Sequence, residues 1–414
     1  MTELGERAMT LIRAGIQAAD PADCVARALD RALADAPAPG GRWHVVALGK
    51  AARAMTVAAL AGLPGGTSAL IVTNAGNDAP LAGARILTAG HPVPDAAGEE
   101  AAREVEAILA AAAPEDRILA LISGGGSAML PAPITGLTLK DKQAVNKLLL
   151  ASGADITATN LIRQALSRLK GGGWLRASRA PVTALILSDV PGDDLRVIAS
   201  GPTVAPIGSV ADAEAKARDL GIWDDLPEAV QEALIRPDDR PPVPKAQNLL
   251  IGSNGHSVAA MAAAGAVAGP IGLSGDVGDC AAALLATVRD LPQGGAMVFG
   301  GETTVTLTGK GLGGRNQELA LRFARLAEGL GDLGDDWVFA SVGSDGRDGP
   351  GQAAGGLVGP GTLALMRKAG IDPDDALSRN DSTRALRAGR ALVTTGPTGT
   401  NVADLAVFLR ASQP

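Results

Sequence analysis

Tyrosine is absent from this chain of 414 residues, and four Trp and four Phe are its only other aromatic side chains. Aromatic platforms are the usual means of holding unstacked bases, so nucleic-acid binding lacks its main device. A net charge of −7 removes the electrostatic one. Cys24 and Cys280 are the only cysteines, far apart and without partners at metal spacing. They read as small buried side chains rather than a disulfide or zinc framework. Histidine occurs only at His44, His91 and His256, which gives metallohydrolase chemistry little support. His44 lies inside an apolar run and reads as structural, whereas His91 sits in a loop, GHPVPD, where it could meet a ligand. No stretch has the ~18 apolar residues of a membrane span. The nearest, Val258–Leu273, is mostly Ala and Gly and reads as a helix covering a sheet. The first residues, with Glu3, Glu6, Arg7 and Arg13, show no apolar core of a signal peptide, so the expected location is the cytoplasm.

Apolar residues nevertheless make up 46% of the chain, so its cores must be built from Ala, Val, Leu and Ile. That composition favours helices laid on a buried parallel sheet, whose strands read as continuous aliphatic runs. Such runs occur at Trp43–Leu48, Ala69–Thr73, Arg85–Leu87, Ile118–Ile122 and Val182–Leu187. Between them fall helical patterns near 51–61, 96–112, 140–151 and 159–170, and residues 1–36 also read as helix. The alternation predicts a doubly wound α/β sheet. The length calls for two domains, and the proline-rich, charged segment 236–246 marks the boundary: a larger domain over 1–240 and a smaller one over 241–414. In the second, strands are expected at Leu249–Gly252, Ala296–Phe299, Trp337–Val342 and Leu392–Thr394, with Val305–Thr308 returning as a hairpin arm.

Ligands of open α/β sheets gather beyond the carboxyl ends of the strands. Lys50 stands at such an end, at the mouth of a helix, where a cation is disfavoured unless an anion neutralises it. Ser123, Gly124, Gly125, Gly126 and Ser127 follow the fourth run, and three successive glycines suggest close approach of a ligand. Asp189 ends the fifth, with Asp193 and Asp194 just beyond; clustered acids at a strand end suggest Mg²⁺. In the second domain, Gly309–Gly314 contains four glycines and leads through Arg315 into a helix over Asn316–Arg322. That arrangement suits an anion held by backbone N–H groups, a helix N-terminus and a guanidinium. Gly309, Gly311 and Gly314 also satisfy G-x-G-x-x-G, but no βαβ context or ribose-binding acid accompanies them. Asp345 in GSDGRDGP, and Thr400 and Asn401 in TGPTGTN, complete the polar strand-end loops. Lysine, arginine and acids around glycine loops suit phosphoryl transfer, although Walker A and protein-kinase signatures are absent.

Taken as an ordered set, ALGKAA, GHPVPD, SGGGSA, GLTLKDKQ, SDVPGDD, IASGPT, GGETTV, GGRNQELAL, GSDGRDGP and TGPTGTNVADL resemble the type II glycerate kinases, whose C-terminal half is called the MOFRL domain and whose members often carry the label hydroxypyruvate reductase. The resemblance runs from about Val45 to Leu405. It implies a larger Rossmann-like domain, a smaller mixed-sheet MOFRL domain, and an active site in the cleft between them. It implies ATP- and Mg²⁺-dependent phosphorylation of the 2-hydroxyl of D-glycerate, with Lys50, Asp189 and Arg315 as catalytic residues. The glycine loop Ser123–Ser127, Asn316, Glu318, Thr400 and Asn401 would bind substrate or phosphate, and Asp189, Asp193 and Asp345 would serve the metal. Expected partners are glycerate and ATP, with no nucleic acid or membrane; a homodimer is left open. The runner-up is an NAD(P)H-dependent reductase of hydroxypyruvate or tartronate semialdehyde, and a third reading is a ligand-binding regulator. The chain departs from the family in one helix, where Gln164 and Ala165 replace a Lys-His pair while Asn160, Arg163, Ser167 and Lys170 remain. It also lacks the family's aromatic pair after Ser382.

Overall fold

The computed structural model describes residues 2–330, 333–334 and 336–412. It divides the chain into two compact units, Pro21–Ile251 and Met1–Asp20 with Gly252–Pro414. The first is built on a six-stranded sheet of β1 (Trp43–Leu48), β2 (Ser68–Thr73), β3 (Ala84–Thr88), β4 (Arg117–Ile122), β5 (Val182–Leu187) and β6 (Gln247–Gly252), in the order β3-β2-β1-β4-β5-β6. β1 pairs in parallel with both β2 and β4, Val46 lying opposite Leu70 and Ala120. All six residues of β1 and of β5 are buried, which is why these segments are aliphatic without alternation. The helix Leu139–Ala151 starts with a capping box of Thr138 and Asp141, and Ile156–Ala165 with the Asp155 carboxylate on the Ala158 N–H. Val145, Leu149, Ile162 and Leu166 join the two helices in a core of their own.

The chain runs outward from β1 through β2 to β3 and then returns to β4 on the other side of β1. This reversal makes the β1 and β4 carboxyl ends the switch point, where the connecting loops part and leave a crevice. Lys50 and Ser123–Ser127 are the residues that follow those two strands.

The second sheet has the order β11-β10-β9-β12-β8-β7, from β7 (Val267–Ala268), β8 (Ala296–Gly301), β9 (Trp337–Gly343), β10 (Gly355–Val358), β11 (Leu392–Val393) and β12 (Asp404–Arg410). β12 runs antiparallel between β8 and β9, and Asp404 lies opposite Gly301 and Gly343. Its side chains alternate between two cores. Ala406 and Phe408 join Leu284, Leu319, Phe323 and Phe339 under the helices Val277–Val288 and Arg315–Leu330. Leu405, Val407 and Leu409 join Leu11, Ile12 and Met261 from the helices Glu3–Ala18 and Asn254–Ala263. Four of the few aromatic rings meet here, Phe323 stacking on Phe339 at 4.2 Å and meeting Trp337 and Phe408.

Several sequence expectations change. The single helix expected over residues 1–36 is two helices among the described residues, Glu3–Ala18 and Pro21–Ala32, because proline suits a helix start and not its interior. The first of them belongs to the unit that holds the C-terminal half. The units divide at Ile251 rather than at 240, since the chain adds β6 to the first sheet after its irregular segment. Val258–Leu273 is not one helix: the helix ends at Ala263 and β7 follows. Val305–Thr308 is not a strand, because β8 already has β7 and β12 as neighbours.

Candidate functional site

At the switch point of the first unit the glycines make room for side chains of the protein itself. Gly49 turns the chain out of β1 at φ +116°, and a Cβ there would lie 2.4 Å from the Ser123 oxygens. A Cβ at Gly124 would lie 1.9 Å from Asp189 Oδ2, and one at Gly125 would lie 3.2 Å from both Lys50 Cε and His91 Cδ2. A Cβ at Gly126 would meet Leu48 at 2.8 Å. The loop therefore lies directly against Lys50, His91 and Asp189, which come from three different strand ends. The Lys50 N–H donates to Gly124 O at 3.0 Å and fixes the lysine's backbone to the loop. Burial, followed by the charge of Lys50, holds the His91 imidazole below its ordinary pKa. His91 is thus a neutral donor–acceptor beside an ammonium, a place the sequence indicated only by its loop position.

Two of the loop residues expected to bind phosphate are used structurally instead. Ser123 is buried; its Oγ accepts the Ala51 N–H at 3.1 Å and donates to Leu48 O at 3.3 Å, joining the ends of β1 and β4. Ser127 Oγ lies 2.7 Å from Ser200 Oγ and accepts from Lys170 Nζ at 3.1 Å. Beyond Asp189, Asp193 occupies a turn at φ +54°, while Asp194 is taken by Arg196 in an ion pair of 2.7 Å. Among the described residues no group of three or more His, Cys, Asp or Glu converges as a metal site. Asp189 and Asp193 are therefore not part of a preformed three-ligand cage within their unit. Mg²⁺ commonly takes only one or two carboxylates and completes its shell with water and substrate phosphate, and Asp189 lying on a backbone stripped of Cβ suits that use.

The second unit holds a cavity of 840 Å³ where the ends of β8 and β9 meet the start of β12. Arg315 lines it, together with Glu302, Glu318, Asp345, Arg347, Asp348, Asn401 and Asp404. The guanidinium grips Asp404 through two parallel bonds, Nε to Oδ2 at 2.6 Å and Nη2 to Oδ1 at 3.0 Å, and turns Nη1 to Glu302 at 2.6 Å. Asp404 is 1% exposed, and burial raises its pKa to about 6 despite the arginine. The start of the Arg315–Leu330 helix is not open to an external anion: Asp348 Oδ1 accepts the Asn316 N–H at 3.0 Å and Oδ2 the Gln317 N–H at 2.8 Å.

The glycines before that helix likewise face protein. A Cβ at Gly309 would meet Arg379 O at 2.3 Å, at Gly311 the Asp381 Cβ at 2.5 Å, at Gly313 the Ser382 Oγ at 2.3 Å and at Gly314 the Asp348 carboxyl carbon at 2.3 Å. Asn380 Oδ1 accepts the N–H groups of Thr308 and Gly309 at 2.8 and 2.9 Å. None of the four glycines has a positive φ. Gly309–Gly314 is thus a segment threaded against 379–382, and its Gly311, Gly313 and Gly314 also line the cavity. Asn316 is buried between Asp404, Asp348 and Ser341, whereas Glu318 lines the cavity while bound by Arg322 and Asn380. Thr400 is buried with its hydroxyl on Ala19 O at 2.6 Å, so it anchors the N-terminal helix rather than a ligand. Asn401 and Asp345 do line the cavity; Asp345 also accepts the Arg347 N–H at 2.9 Å. Sequence alone does not single out Asp404, although an acid at the entry of the aliphatic run DLAVFLR is there to be seen.

Residues 7–235 match the family described as Domain of unknown function (DUF4147), and residues 295–404 match the MOFRL family. The D-glycerate 2-kinase of Thermotoga maritima is 36% identical over 98% of this chain and 98% of its own length. A relative in Agrobacterium vitis, 42% identical over 90% of this chain and 88% of its own length, carries a provisional hydroxypyruvate reductase name. The crystal structure of the Thermotoga maritima glycerate kinase superposes with a TM-score of 0.89, at 35% identity over 99% of each chain. Alike in sequence and in fold over nearly the whole length, the chain belongs to the glycerate kinase family, with a MOFRL domain in its C-terminal half.

Proposed function

We propose that the protein phosphorylates the 2-hydroxyl of D-glycerate with ATP and Mg²⁺, giving 2-phosphoglycerate. The observation that carries this reading is the glycine loop at the switch point, which brings the ammonium of Lys50 and the carboxylate of Asp189 against one backbone. Phosphoryl transfer demands little covalent work from a protein and much positioning and charge stabilisation. The C2 oxygen forms the new P–O bond, the bond between the γ-phosphorus and the bridging oxygen breaks, and ADP leaves with that electron pair. Lys50 offsets charge on the transferring group. Asp189 orients the hydroxyl and accepts its proton, and Asp189 with Asp193 would hold Mg²⁺, whose charge neutralises the phosphates. Arg315 would take a substrate oxyanion in the cavity it lines. Its buried pair with Asp404 sets the plane of the guanidinium, while the half-exposed contact with Glu302 is weak enough to be exchanged for a substrate oxyanion.

The reductase reading draws its support from the G-x-G-x-x-G spacing and a provisional name, and the glycines of that spacing are filled by residues 379–382 and Asp348. The test is ADP release on mixing the protein with ATP, Mg²⁺ and D-glycerate. ADP formation dependent on D-glycerate and abolished in Lys50→Met is expected. Saturable NADH oxidation with hydroxypyruvate, and no ADP, would overturn the proposal.

A further inference from the structure

Lys142, Arg163 and Lys170 of the first unit form a cationic cluster with no acid in it. Lys142 lies in the helix Leu139–Ala151, Arg163 in Ile156–Ala165, and Lys170 in the turn that follows. The two lysines are 5% and 4% exposed. Lys142 Nζ donates to Leu166 O at 3.2 Å, Lys170 Nζ to Ser127 O at 2.7 Å and Ser127 Oγ at 3.1 Å, and Arg163 Nε to Asn146 Oδ1 at 2.7 Å. An ammonium has three donors and a guanidinium five, so these bonds leave donors in excess on every member. Among the described residues no carboxylate pairs with any of the three, whereas neighbouring Arg168 is held by both oxygens of Glu106 at 2.7 and 2.9 Å. Ser167, in the same turn, has a buried Oγ without a hydrogen-bond partner.

Uncompensated buried charge is among the most costly features a fold can carry. Burial first, and then the charges of Arg163 and Arg168, pulls Lys142 down to about 7; burial, and then Lys142 and Arg163, pulls Lys170 well down too. Burial and neighbouring cations thus disfavour the charged forms of Lys142 and Lys170, and an anion beside them and the orphan Ser167 hydroxyl would restore those forms. Lys170 connects the cluster through Ser127 to the glycine loop that lies against Lys50 and Asp189. Gln164, the departure from the family in this helix, is not free to join it: its side chain bonds Arg196 O, Ser200 O and the Ile207 N–H.

We propose that Lys142, Arg163 and Lys170 are a recognition site for a small oxyanion and that, on the kinase reading above, the anion is the carboxylate of the acceptor acid. The three residues are positioning and binding groups, separate from those that touch the phosphoryl group.

The experiment is thermal denaturation of the full chain without nucleotide, in D-glycerate, glycerol or inorganic phosphate at matched ionic strength, followed by steady-state kinetics. D-glycerate should raise Tm of the wild type and glycerol should not, because only the acid carries the oxyanion. Lys142→Met and Lys170→Met should lose that shift while folding as well as the wild type or better, since an apolar side chain replaces an uncompensated charge. Should Lys170→Met not fold, Lys142→Met and the less deeply buried Arg163→Met carry the test. KM for D-glycerate should rise at least about tenfold in the variants, with KM for ATP little changed. An equal Tm shift and an equal KM in wild type and variants would overturn the site. A shift with phosphate but none with D-glycerate would overturn the carboxylate assignment. Failure of the kinase reading is separate: it would appear as no ADP, while a Tm shift with D-glycerate that depends on Lys142 would persist.

Discussion

Lys50 has no structural partner for its ammonium among the described ion pairs, so its replacement should affect chemistry alone. Lys50→Met is expected to lower kcat by about 10²-fold or more with Tm nearly unchanged, as read from initial rates and a melting curve on the same preparation. Arg315 is different. Read from sequence it was an anion-facing surface residue, but its removal would strand Asp404, a buried carboxylate. Arg315→Ala should therefore cost both turnover and on the order of 3 kcal/mol of stability in urea unfolding, with part of the stability recovered in Arg315→Ala/Asp404→Asn. Asp404 also gives a pH dependence. Its folded pKa of about 6 lies above the unfolded value, so its proton stabilises the fold at low pH, and that contribution is lost as pH rises through about 6. The grip on Arg315 follows the opposite course and needs the ionised form. Turnover should fall as pH drops below about 6, and Asp404→Asn should remove that limb of the pH–rate profile while lowering the plateau.

At the scale of the element, the glycine-rich segment before the Arg315–Leu330 helix is held by backbone proximity. Gly311→Ala would drive a methyl onto Asp381 and the Arg379 carbonyl, so it should destabilise the protein by about 1–3 kcal/mol, measured as a drop in the urea midpoint without a change in slope. A phosphate nest would instead show altered nucleotide KM with stability intact. Sequence and structure agree where burial on both faces leaves one interpretation: Val182–Leu187 is a strand with the predicted bounds, and Trp43–Leu48 likewise. They part where a local pattern was outweighed by distant chain. Val305–Thr308 is β-branched enough for a strand, but the edges of β8 are taken by β7 and by β12, which arrives from about a hundred residues later. Nothing in the spacing of the glycine motif reveals that residues 379–382 pack against one side of it, while its other side lines the cavity. The SGGGS loop was legible as a place of close approach, but the groups that approach, Asp189, Lys50 and His91, are separated in sequence and met only through the strand order.

For the molecule as a whole, the N-terminal helix Glu3–Ala18 shares its core with β8, β9 and β12, so the unit containing Gly252–Pro414 is incomplete without the first twenty residues. Residues 252–414 expressed alone should expose apolar surface and bind a hydrophobic dye, and a peptide of residues 1–20 should suppress that signal. Equal dye binding with and without the peptide would argue against a shared core. The rhythm of strands and helices made two α/β domains readable in advance, but no local signal assigns a helix at one end of the chain to a sheet at the other. The central claim is that this fold passes a phosphoryl group from ATP to the secondary hydroxyl of a small acid. Its most direct test is ³¹P NMR of the products formed from ATP, Mg²⁺ and D-glycerate. The account predicts the resonance of 2-phosphoglycerate appearing with ADP; 3-phosphoglycerate as the sole product, or no phosphorylated acid at all, would contradict it.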